Sequence, residues 1–79
     1  MALRFIGTDP NSVDGECPTV WFDKDRHEFV FQGWKADEEL RATCLETGPI
    51  PPSEAVVRLP ARMAQMIREA CDVAERARL

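Results

Sequence analysis

Five of the chain's six aromatic residues fall inside one fourteen-residue window, from Trp21 to Trp34, and this cluster constrains the fold more than any other feature. Thr19–Asp23 and Glu28–Trp34 are rich in β-branched and aromatic residues, as strands are, and the polar run Lys24–His27 between them supplies a four-residue hairpin loop. Opposed residues of an antiparallel pair share a face, so that loop pairs Phe22 with Phe29, Val20 with Phe31, Trp21 with Val30 and Thr19 with Gln32. Val20, Phe22, Phe29 and Phe31 then occupy one face, and Thr19, Trp21, Val30, Gln32 and Trp34 the other. A slip of one residue would bring Glu28 onto the phenylalanine face and spoil the segregation. Gly33 marks a bulge or a close backbone approach that would redirect Trp34.

A sheet needs only one apolar face to make a core. The second face has an apolar centre of Trp21, Val30 and Trp34 with a rim of Thr19 and Gln32, the composition of a protein interface, where tryptophan is enriched among the anchors. The competing use of the two indoles is burial beneath residues 1–18.

With 79 residues and 44% hydrophobic content the chain reads as a single domain over residues 1–79, outside the range of disordered compositions. Domains of this size often need a disulfide, a metal or self-association to be stable. The three cysteines are an odd number, and Met1–Gly7 is too short in apolar length for a secretory segment, so the expectation is a reduced, cytoplasmic protein. No apolar run approaches the length that spans a bilayer. Residues 1–53 hold five Lys and Arg against ten Asp and Glu, and residues 54–79 hold five Arg against four acids, which reproduces the net charge of −4. A net acidic chain without a basic cluster lacks the electrostatic footprint of phosphate-backbone binding.

Along the chain, Leu3–Ile6 reads as an edge strand or a tail, and Gly7–Pro18, dense in Gly, Pro, Asn and Asp, as a long loop. Asp37 caps a short helix with Glu38 and Glu39 in its first turn, Leu40, Cys44 and Leu45 on one side and Gly48 beyond its end. The prolines of Pro49–Pro52 make a stiff connector, after which Glu54–Leu59 reads as a strand joining the hairpin's sheet. Pro60 opens a last helix whose apolar positions Met63, Met66, Ile67, Ala70, Cys71, Val73, Ala74 and Ala77 recur at three and four. On its other side Arg68, Asp72 and Arg76 stand four apart, the spacing of helical ion pairs. The expected fold class is α+β: a small, mainly antiparallel sheet in the order β-β-β-α-β-α with two helices on one face. The phenylalanine face should pack against Leu40, Leu45, Met63, Met66, Ile67 and Ala70.

No set of residues identifies a reaction. Cys17, Cys44, Cys71 and His27 lack the paired spacing of zinc ligands, and nothing local lowers a thiol pKa for nucleophilic work. Asp9–Glu16 departs from a calcium loop, with Val13 in a ligand slot and Gly15 one position late, and reads as a solvated turn. Asp23, Asp25 and Glu28 form a soluble hairpin tip rather than a general-acid pair. No catalytic residue, cofactor or metal is therefore expected.

Val56–Met63, a short strand carrying Arg58 followed by Leu59-Pro60 and an amphipathic helix, resembles the strand and first helix of ribbon-helix-helix repressors. In those proteins paired strands from two subunits enter the major groove, which would make Arg58 and Arg62 nucleic-acid contacts. The second helix of that family is missing here. Over most of its length, in the blocks Phe5–Thr8, Cys17–Trp21, Gln32–Lys35 and Glu54–Met63, the chain resembles small actinobacterial proteins encoded beside helix-turn-helix regulators. That resemblance implies a regulatory protein partner and carries over no catalytic residue. The expected function is a non-enzymatic protein–protein interaction module, regulatory and dimeric or bound to a helix-turn-helix regulator. Direct DNA binding through Arg58 and a thiol- or metal-dependent enzyme are the alternatives.

Overall fold

The computed structural model describes residues 2–11 and 15–77. It shows a small α+β fold with antiparallel sheets and two helices on one face. Five strands, β1 (Leu3–Thr8), β2 (Thr19–Asp23), β3 (Glu28–Gln32), β4 (Trp34–Lys35) and β5 (Val57–Arg58), accompany the helices α1 (Glu38–Leu45) and α2 (Ala64–Ala77). A 3₁₀ turn, Ala61–Met63, leads into α2, and the Met63 amide donates to the Pro60 carbonyl.

The hairpin register is the one read from the sequence, with Phe22 opposite Phe29, Trp21 opposite Val30 and Thr19 opposite Gln32. Asp23 builds the four-residue loop by accepting from the amides of Asp25 (2.9 Å) and Arg26 (3.0 Å), and His27 closes it at φ 57°. A type I turn followed by a left-handed residue is a common hairpin solution, because it restores the strand twist.

β1 decides where the core lies. It pairs antiparallel with the free side of β2, so β2 becomes the central strand and β3 an edge. A bulge between Phe5 and Gly7 turns both Ile6 and Gly7 toward α2: Ile6 packs on the core, and a Cβ at Gly7 would stand 2.8 Å from the Met66 sulfur. α2 lies across β2 and β1, where Val20, Phe22, Met63, Ala70 and Ala74 are buried and Ile6, Leu59, Met66 and Ile67 close around them.

Several expected positions move in consequence. Phe29 and Phe31 are not covered by the helices. They remain 45% and 41% exposed at the margin, stacked on each other at 6.1 Å, because the helix follows the central strand and β3 lies outside it. Leu45 is 44% exposed and α1 buries none of its residues, so the core is built on α2 rather than on both helices. Cys71 is exposed on α2. Arg68 donates to Gln65 rather than to Asp72. Glu54–Leu59 shortens to β5, which pairs with β4 in a separate two-stranded sheet instead of joining the hairpin. Gly7 and Thr8 belong to β1, so the loop that follows begins at Asp9.

Two tethers hold the elements to one another. Asp9, 3% exposed, receives the Arg62 guanidinium on both carboxylate oxygens, at 2.7 and 2.6 Å, which fixes the start of the loop to the turn before α2. Asp9 was expected in a solvated turn, and it is buried against a partner 53 positions away. The His27 ring donates to the Ala74 carbonyl at 3.0 Å, satisfying one of the four carbonyls that the end of a helix leaves free, and stands edge-on to Phe22. The Asp37 carboxylate accepts from the Leu40 amide at 2.8 Å and caps α1 as read from the sequence.

Candidate functional site

The face of the three-stranded sheet opposite α2 is the candidate site. Phe5 opposes Trp21 and Trp21 opposes Val30, so these three residues form one row across all three strands. Leu3, Asp23 and Glu28 form the row toward the hairpin tip, and Thr8, Thr19 and Gln32 the row toward the other end. Phe5 is 59% and Leu3 40% exposed, while Trp21 and Val30 are half-buried between their neighbours. β1 therefore widens the apolar row within the plane of the sheet and does not lie over the indole of Trp21. Leu3 and Phe5 enter the site although the sequence reading left them in an edge strand or tail. Arg4 between them is the one local sign of a half-buried strand, and it does not show which strand they pair with.

The rim residues have internal duties. The Thr19 hydroxyl donates to the Cys17 carbonyl at 2.7 Å and lies 3.3 Å from that of Thr8, and Thr19 is buried. The Gln32 side-chain amide donates to the same Cys17 carbonyl at 2.8 Å. Together they fasten the segment before β2 to the ends of β2 and β3.

Trp34 parts from the row. Gly33 sits against the carbonyl of Arg58, a position with no room for a Cβ, and past it the backbone leaves β3 to pair with β5. Trp34 is then opposite Arg58, whose guanidinium stands 5.9 Å from the centre of the ring. It also lines a cleft of about 180 Å³ with Gly15–Pro18 and Gln32. The two tryptophans, grouped together by the sequence, have different surroundings.

The two arginines of the nucleic-acid alternative both have intramolecular partners. Arg58 lies on Trp34 and borders a cleft with Asp37, Glu39, Leu40 and Thr43. Arg62 is held by Asp9; the hydrogen bonds from the guanidinium keep the Asp9 carboxyl below its usual range, and the same contacts raise Arg62. β5 pairs with β4 of its own chain, whereas the ribbon of ribbon-helix-helix repressors forms between subunits.

Cys17 and Cys71 are exposed, Cys44 is half-buried, and all three are free thiols. Among the described residues no three His, Cys, Asp or Glu side chains gather as metal ligands would, and no helix is long and apolar enough to cross a membrane. Compared with protein-family models, curated proteins and solved structures, the chain has no significant match.

Proposed function

We propose that this chain is a protein–protein interaction module that binds a protein partner through the outer face of its three-stranded sheet. The observation that carries the reading is the row Phe5–Trp21–Val30, which crosses the whole sheet on the side away from α2 and is bordered by Leu3. Apolar groups left on a folded surface in a contiguous row lose free energy to water until something covers them, and an aromatic centre ringed by polar residues is the common form of an interface. Exposed Glu28 at one end of the face and exposed Gln32 at the other stand at its polar border. The resemblance to proteins encoded beside helix-turn-helix regulators favours a regulatory partner.

The test is substitution of the anchor. Trp21→Ser should leave the far-ultraviolet circular dichroism of the protein unchanged and abolish capture of the partner that the wild-type chain retains from the source cell. Equal capture by both chains would overturn the assignment of this face.

A further inference from the structure

A second surface, distinct from the outer face, lies along the edge of β3. The sheet order β1-β2-β3 leaves two edges, and they are unlike. β1 is bulged between Phe5 and Gly7 and carries Arg4, two of the devices by which proteins keep sheet edges from pairing. β3 has neither. Its residues Glu28-Phe29-Val30-Phe31-Gln32 hold regular register with β2 throughout and include no Lys, Arg or Pro. Phe29 and Phe31 lie exposed and stacked beside this edge on the α2 side, and α2 itself is drawn away over β2 and β1.

We propose that a second copy of this chain pairs antiparallel along β3, about a two-fold axis at Val30, merging two three-stranded sheets into one. The sequence of β3 selects this register. With Val30 opposite Val30 of the second copy, Phe29 meets Phe31, Phe31 meets Phe29, and Glu28 meets the neutral Gln32. Opposed residues share a face, so the phenylalanines of both copies close on one another, and both α2 helices stand on the same side of the joined sheet. Moving the axis to Phe29 would set Glu28 against Val30, and moving it to Glu28 would oppose like charges.

The outer face stays open in the pair and is doubled, with the two Val30 residues meeting at its centre.

Sedimentation velocity across a concentration series tests the proposal. The wild-type chain should approach twice the monomer mass. Phe29→Lys/Phe31→Lys and Phe29→Glu/Phe31→Glu chains should each stay monomeric, and their equimolar mixture should recover the dimer through opposite charges at the two Phe29–Phe31 contacts. A wild-type monomer throughout, a dimer in either charged chain alone, or a mixture that stays monomeric would overturn it. Phe29 packs on Phe22, so a second measurement avoids any loss of fold in the charged chains. Val30→Cys in a Cys17→Ser/Cys44→Ser/Cys71→Ser background should cross-link to dimer on mild oxidation, since opposed strand positions lie within disulfide reach, and its failure to do so would count against the axis. Trp21→Ser should keep the dimer; its loss of the captured partner bears on the outer face alone.

Discussion

At Gly33 one missing methyl group decides the path of the chain. The backbone there lies against the Arg58 carbonyl, so Gly33→Ala must push β3 and β5 apart. Overpacking of this kind costs about 1–3 kcal/mol, read as a lower urea midpoint, and it should also disturb the emission of Trp34, which the turn positions. Asp9 and Arg62 show the opposite case, a pair that gives no local sign in the sequence because its members are 53 positions apart. Arg62 lowers the Asp9 carboxyl in the folded state below its usual 3.8. A carboxyl depressed by folding contributes stability that is fully present above the unfolded value and is lost as pH falls through the folded one. Stability of the wild type should thus fall as the solution is acidified below about pH 4, and Asp9→Asn should be less stable at neutral pH with a flatter acid limb. Urea titrations at pH 7 and pH 3 check both parts, and an unchanged acid limb in Asp9→Asn would remove the pair from the account.

Among the elements, those set by neighbours in sequence were legible and those set by distant pairing were not. Loop length and the segregation of Phe from Trp fix the hairpin register between them, and that register is observed. The Asp37 cap with Glu38 and Glu39 behind it is equally local. The pairing of β1 with β2 carries no such sign, since a six-residue strand separated from the hairpin by a turn-rich loop could lie on either side of the hairpin or on neither. It is nonetheless the pairing that made β2 central, moved α2 off Phe29 and Phe31 and brought Phe5 beside Trp21. The candidate site was legible to the same extent: Trp21 and Val30 were placed on it by the hairpin alone, and Leu3 and Phe5 came with β1. α1 buries none of its residues, so its stability rests on its cap more than on packing. Asp37→Ala should cost about 0.5–2 kcal/mol and raise amide hydrogen exchange within Glu38–Leu45 while leaving α2 protected. Exchange rising equally in both helices would mean that α1 is part of the core unit.

For the molecule as a whole, a central β2 places adjacent residues in opposite roles: Phe22 is fully buried under α2, and Trp21 belongs to the outer row. Denaturant unfolding of the neighbouring variants Phe22→Ser and Trp21→Ser, at one protein concentration, tests that division most directly. Phe22→Ser removes a core ring and should cost about 3–5 kcal/mol. Trp21→Ser removes cross-strand contacts on an open face and should cost about 1 kcal/mol. A Trp21→Ser chain destabilised as strongly as Phe22→Ser would place the indole in a covered core and contradict the reading of the outer face as an interaction surface.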